Sequence, residues 1–310
     1  MKTIIPKKLS INDKIGIISP SSILTESEDL DALTKAIEIM EKEGFKIVKG
    51  KYAFIDETGY GTSAIHKAKD INNMFQNEDI KAIFAITGGE NSISTFDYLN
   101  WDIIKNNPKI FCGFSDTTSL LNEINEKTGL ITFMGPSMKS IATGKTDYRL
   151  KAVIDRFVNK KDNLFYEEDE SEIKVIRKGR AKGKLVGGNL TLTADLISGK
   201  YKIDFKDKIL LLEDLAFEAI PQKASHDLYR MKQEGIFNEI SGIWIGNYES
   251  DIPLEKILLD TINDIEFNKP IIKSQNFGHG EKKIVLPIGV EATIDTKEKI
   301  CIKLTKEFLN

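Results

Sequence analysis

Three histidines, at positions 66, 226 and 279, are all the chain has, so any chemistry that needs an imidazole must draw on one of them. His66 stands on a helical stretch whose apolar stripe is Ala64, Ala68, Ile71 and Phe75, and it points away from that stripe. His226 stands in another helical stretch among Asp227, Arg230 and Lys232. Both read as solvated surface residues. His279 differs, because it lies in Asn276-Phe277-Gly278-His279-Gly280, directly after the apolar run 270–274. A histidine between two glycines at a strand end sits on a close-turning loop that a ligand can approach. An ordinary loop histidine would look the same, so the position needs partners before it means anything.

Three further segments could supply them. In Phe111-Cys112-Gly113-Phe114-Ser115-Asp116-Thr117 a buried strand runs into a helix with Ser115 at the turn. That is close to a nucleophile elbow, in which a sharp turn lifts a hydroxyl clear of the sheet. Thr117 stands where the commoner motif has glycine, and Ser115 could equally cap the helix that begins at Asp116. Thr87-Gly88-Gly89-Glu90-Asn91 follows another strand. Consecutive glycines there free backbone N–H groups for a phosphate or a transient oxyanion, or simply make a tight turn. Glu213 ends the apolar run Ile209–Leu212. A carboxylate so placed is poorly solvated and needs either a salt-bridge partner or a task. Tyr248 and Glu249, after the run 242–246, are weaker candidates of the same kind.

The elements that position these residues alternate. Apolar runs at 14–19, 45–49, 81–87 and 109–113 read as strands. Helical periods separate them: one opening at Thr25 with Glu28 in capping-box spacing and closing at Gly44, one over 63–76, and pieces over 91–106. A helix over 116–127, closed before Gly129, follows the last strand. Strands alternating with helices imply βαβ units and an open, mostly parallel sheet carrying the elbow. A helical stretch at 147–158 leads into the polar segment 159–171, expected to be a solvated linker. Beyond it strands outnumber helices, at 172–178, 182–186, 208–213, 241–246, 270–274, 290–294 and 298–304. The expected architecture is therefore α/β, with residues 1–165 as the nucleophile-bearing domain. Residues 166–310 form a second, mixed α/β domain rich in strands.

Taken in order, these segments resemble the LD-carboxypeptidase family, which includes the microcin immunity peptidases. The similarity runs through KIGIISPSS at 14–22, TGGENSISTFDYL at 87–99, NPKIFCGFSDTTSLL at 107–121 and TGLITFMGP at 128–136. It continues through GKLVGGNLTL at 183–192, ILLLEDL at 209–215, EISGIWIG at 239–246 and FGHGEKKIVLPIGVEATI at 277–294. The resemblance implies a catalytic triad of Ser115 as nucleophile, Glu213 as orienting carboxylate and His279 as general base. It implies oxyanion donors at the Gly88-Gly89 turn, most directly Gly89, and at the Asp116 backbone N–H, with Asn189 touching substrate. No cofactor and no metal are implied. The implied reaction is hydrolysis of an amide next to a free carboxylate, with a muropeptide as the substrate class. The alternative within the family is an immunity peptidase cleaving an aminoacyl-nucleotide analogue. That branch resembles a pattern with lysine where this chain has Phe217, and with tryptophans between the domains, whereas Trp101 and Trp244 lie elsewhere.

Composition narrows the partners. Lys plus Arg number 44 and Asp plus Glu 47, a formal charge of −3, which gives no general attraction to nucleic acid or anionic membrane. No apolar run approaches the roughly 20 residues that span a bilayer, and the first residues carry no secretory pattern. A cytoplasmic protein acting on a small peptide is the expectation, and a homodimer is compatible with it. Two cysteines, Cys112 and Cys301, cannot make a disulfide framework or a four-cysteine zinc site. A phosphate- or nucleotide-binding protein built on Gly88-Gly89, or a non-catalytic binder of peptidoglycan fragments, would leave Ser115 as a helix cap.

Overall fold

The computed structural model describes residues 2–215 and 220–310, the side chains of 170–172 excepted. The chain forms two compact units. The first comprises Met1–Lys161 with Val285–Pro287 and Phe308–Asn310; the second comprises Asp162–Ile284 and Ile288–Glu307.

The first unit alternates β1 (Lys14–Ile18), α1 (Ser27–Lys42), β2 (Lys46–Lys49), α2 (Ala64–Gln76) and β3 (Ile80–Ala85). It continues with α3 (Trp101–Asn106), β4 (Ile110–Gly113), α4 (Thr118–Thr128), β5 (Thr132–Met134) and α5 (Thr146–Phe157). In the second half come β6 (Lys174–Arg177), β7 (Arg180–Asn189), α6 (Leu190–Asp195), β8 (Ile209–Asp214), α7 (Pro221–Gln233) and α8 (Ile236–Glu239). The chain ends with β9 (Gly242–Tyr248), α9 (Leu254–Thr261), β10 (Ile271–Lys273), β11 (Leu286–Ile288), β12 (Glu291–Asp295) and β13 (Ile302–Leu304).

The first sheet has the order β11-β5-β4-β3-β1-β2, and β2, β1, β3, β4 and β5 pair in parallel. Its central strands are apolar because helices cover both faces; every residue of β4 is buried. The chain returns to this unit twice. β11 joins the edge of the sheet, and Val285 accepts from the Arg156 Nε–H at 3.1 Å. At the C-terminus Lys8 N–H donates to the Asn310 carbonyl, and Asn310 N–H donates to that of Pro6. Strands of three residues such as β5 and β11 are too short to show a period, so neither was legible as a strand.

The second sheet has the order β13-β12-β7-β8-β9-β10-β6. Its middle, β7 to β10, is parallel, and its flanks are antiparallel. This is the mixed, strand-rich sheet that the second half suggests. Every residue of β8 and β9 is buried, with Trp244 at the centre beside Phe277 at a ring distance of 4.9 Å.

Three local expectations are corrected. The capping box at Thr25 does not form: α1 starts at Ser27 with Glu26 at the N-cap, and the Thr25 hydroxyl lies 3.2 Å from the Glu26 carboxylate instead. The segment 159–171 is not a free linker. Leu164, Phe165 and Asp169 are buried, and Asp169 pairs with Lys282 at 2.8 Å. His66 is no bare surface residue either, since its ring stacks on Tyr52 at 3.9 Å and its Nδ1 lies 2.6 Å from Glu57.

α4 carries an unusual charge. Glu123 is fully buried, neither carboxylate oxygen makes a hydrogen bond among the described residues, and Lys127 approaches to 3.4 Å. Burial pushes its carboxyl up to about 7. The folded state therefore holds this proton more tightly than the unfolded chain. Stability is lost as pH rises from the ordinary value of 4.5 through about 7. Glu123→Gln should leave stability unchanged below that window and raise it at pH 8 by about 1–3 kcal/mol, after allowance for the Lys127 charge. Urea titrations at the two pH values check this, and an equal effect at both would contradict it.

Candidate active site

In the first unit the candidate residues stand on loops at the carboxyl ends of parallel strands, where open α/β sheets gather their ligands. Ser115 follows β4 with φ 60°, a left-handed backbone that costs a non-glycine residue roughly 1–3 kcal/mol. The turn can form because Gly113 leaves room: a Cβ there would lie 2.8 Å from the Thr117 methyl and 3.0 Å from the Ala85 Cβ. Thr117 thus fills, with its own methyl, space that the commoner motif leaves to a second glycine. Ser115 is half-buried and opens a short 3-10 turn, Ser115–Thr117, so that Thr117 and not Ser115 stands at the N-cap of α4.

The glycine turn after β3 packs directly on this elbow. A Cβ at Gly88 would meet the Ser115 Cβ at 2.8 Å and its Oγ at 3.0 Å. Gly89 has φ +116° and sits so close to Ser22 that a Cβ would come within 2.2 Å of its Oγ. Glu90 N–H donates to the Ser22 Oγ at 3.2 Å, and Ser22 N–H donates to the Gly88 carbonyl at 3.4 Å. The Gly89 and Asp116 N–H groups, by contrast, donate to no acceptor among the described residues.

Asp116 staples the two loops together. Its carboxylate accepts the Ser92 N–H at 2.9 Å, and its carbonyl accepts the Ser92 hydroxyl at 2.8 Å. Burial pushes its carboxyl up, against the Ser92 hydrogen bonds and the charge of Lys67. Lys67, itself buried on α2, is pushed down by burial and pulled back by Asp116.

The second unit holds the other candidates. Glu213, next to last in β8, has no exposure, and its Oε2 lies 2.6 Å from the His279 Nδ1. Its Oε1 has no hydrogen-bond partner among the described residues. Gly278, at φ +97°, lets the loop press on this carboxylate; a Cβ there would lie 2.6 Å from Glu213 Oε2. With Nδ1–H donated to Glu213, the imidazole is fixed in the tautomer whose Nε2 carries the lone pair, as a general base requires.

Asn189 pairs with Glu213 across β7 and β8. Its Nδ2 donates to Asp214 at 2.8 Å and its Oδ1 accepts from Leu192 N–H at 3.1 Å. Asp214 also accepts from Thr191 and from its neighbour Leu215, while burial pushes its carboxyl up. Burial together with the Asp214 charge pushes the Tyr248 hydroxyl up to about 12. Glu249 and His226 are exposed. Phe217 lies outside the described residues. Ser22, Ser92 and Asp214, which contact these candidates, went unnoticed in the sequence. For Asp214 the signal was available, since it stands two residues beyond the apolar run Ile209–Leu212.

This geometry stands beside two family models. The LD-carboxypeptidase N-terminal domain matches residues 15–135, and the LD-carboxypeptidase C-terminal domain matches residues 182–294. The chain belongs to the LD-carboxypeptidase family. As a member it is a serine-type carboxypeptidase, a hydrolase. A Bacillus subtilis protein named "Probable murein peptide carboxypeptidase" is 30% identical, over 96% of this chain and 93% of that one. The microcin self-immunity protein MccF of Escherichia coli is 26% identical over 97% and 96%. The structure of MccF in complex with aspartyl sulfamoyl adenosine superposes with a TM-score of 0.86 at 25% identity, covering 99% of this chain and all of that one.

The LD-carboxypeptidase fold thus comprises two α/β units, each with candidates at the carboxyl edge of its sheet. Among the described residues no helix is long and apolar enough to cross a membrane, and no group of His, Cys, Asp and Glu side chains could hold a metal ion.

The contact between Gly278 and Glu213 makes a direct prediction. Gly278→Ala should force the carboxylate off the imidazole and abolish the low-field NMR resonance of the His279 Nδ1 proton. Overpacking and the left-handed backbone should together lower stability by about 1–3 kcal/mol. An unaltered resonance would show that the pair does not depend on this contact.

Proposed function

We propose that Ser115, His279 and Glu213 work as one triad that removes a terminal D-alanine from a muropeptide tetrapeptide. The observation that carries this reading is the 2.6 Å bond between Glu213 and His279. A buried carboxylate that fixes one nitrogen of an imidazole prepares the other nitrogen to take a proton. The strained Ser115 hydroxyl is the nucleophile that needs such a base.

In this mechanism the Ser115 Oγ attacks the carbonyl carbon of the scissile amide while its proton passes to the His279 Nε2. Glu213 stabilises the resulting imidazolium. The tetrahedral oxyanion is received by the Gly89 and Asp116 N–H groups, aimed by the Ser22 and Ser92 contacts before substrate arrives. Such pre-aimed donors are each worth about 3–4 kcal/mol in the transition state. Collapse breaks the C–N bond, and the imidazolium returns its proton to the departing D-alanine amine. Water, deprotonated by His279, then hydrolyses the acyl-enzyme and restores Ser115. Asn189, its amide preset by Asp214 and Leu192, is the residue at which substrate meets β7.

The 30% identity to the B. subtilis protein over nearly the full length supports the muropeptide substrate. A second reading is favoured by the likeness to MccF, solved with aspartyl sulfamoyl adenosine: cleavage of an aminoacyl-nucleotide analogue by the same triad.

Mass spectrometry after incubation with a muropeptide tetrapeptide and with such an analogue separates the two. We expect D-alanine release from the first and no turnover of the second; the reverse outcome would transfer the assignment. Ser115→Ala should lower turnover by on the order of 10⁶ with its thermal midpoint preserved, and substantial residual activity would remove Ser115 from the mechanism.

A further inference from the structure

The loop that carries His279 is anchored at both ends. Trp244 Nε1–H donates to the Ser274 Oγ at 2.8 Å, and that hydroxyl donates to the Asn276 Oδ1 at 2.8 Å. Asn276 Nδ2 in turn donates to the Leu164 carbonyl at 2.8 Å, and Ile284 N–H closes the loop on the Asn276 carbonyl at 2.8 Å. None of these bonds reaches the peptide from which the imidazole projects.

Lys283 does reach it. Its side chain is buried, and its Nζ donates to the carbonyl of Gly278 at 2.5 Å. The opposite side of Gly278 is pressed against Glu213. The 278–279 peptide is therefore held between an ammonium and a carboxylate, both inside the protein.

We infer that Lys283 is the positioning residue of the general base: its ammonium fixes the Gly278 carbonyl and so keeps the His279 ring on Glu213. A hydrogen bond from a charged donor is roughly twice as strong as a neutral one, and a buried ammonium resists giving one up. Rotation of the 278–279 peptide would break this bond and swing the imidazole away. Among the described residues the Glu213 Oε1 has no second partner, so the bond to His279 is the one that this rotation would cost it.

The inference rests on the reading of His279 as general base, so its test begins with a readout that needs no turnover. In Lys283→Met the low-field His279 Nδ1 resonance should disappear or broaden while circular dichroism remains that of the wild type. With substrate, kcat should fall on the order of 10²-fold, as expected for a catalytic group displaced by about 1 Å, and KM should hold. Lys283→Arg, which keeps a charged donor, should recover the resonance and most of kcat. If Lys283→Met does not fold, Lys283→Gln is read in the same way.

An unchanged resonance with unchanged kcat in the folded variant would overturn the inference, as would a failure of arginine to recover either. Should Ser115→Ala retain activity, the proposed function falls while the resonance still decides the role of Lys283.

Discussion

A carboxylate without solvent is the constraint around which the second unit is arranged. Glu213 has no exposure, and burying an ionised carboxylate is costly unless hydrogen bonds or a counter-charge compensate. Among the described residues the fold compensates it through the His279 imidazole, at 2.6 Å. Everything near that bond follows from the need to keep it. Gly278 has no side chain because the carboxylate occupies the space. Phe277 packs on Trp244 to seat the loop, and Asn276 ties the loop to Leu164. Each of these contacts helps to seat the loop that holds the imidazole against the carboxylate.

The first unit meets a different constraint, backbone strain. Ser115 keeps a left-handed φ of 60° only because the surrounding contacts over-determine it. Gly113 lets strand and helix pass closely, Gly88 sits flush on the serine, and Asp116 bonds twice to Ser92. In the proposed mechanism the same contacts that hold the strain also aim the Gly89 and Asp116 N–H groups, so that strain and pre-organisation would be one arrangement.

Much of this was legible in the sequence where local chemistry decides the outcome. The buried strands read as apolar runs because both faces of a parallel sheet are covered. Ser115, Glu213 and His279 stood out because each follows or ends such a run. What was not legible depends on distant partners. Asp169 reads as part of a charged linker until Lys282, far along the chain, arrives to pair with it. His66 reads as surface until Tyr52 stacks on it. Lys283 is one more lysine in a lysine-rich chain, and only the fold of its loop places its ammonium on the Gly278 carbonyl.

The central claim is that Glu213 and His279 serve a single nucleophile as one unit, and a double-mutant cycle on kcat tests it most directly. Glu213→Gln alone should cost roughly 10⁴ in rate, by analogy with the aspartate of a serine-protease triad. His279→Ala should cost at least as much, and the two together little more than the worse single change, because members of one relay are strongly non-additive. Losses that multiply in the double variant would contradict the account, and would mean that the carboxylate and the imidazole act on the reaction separately.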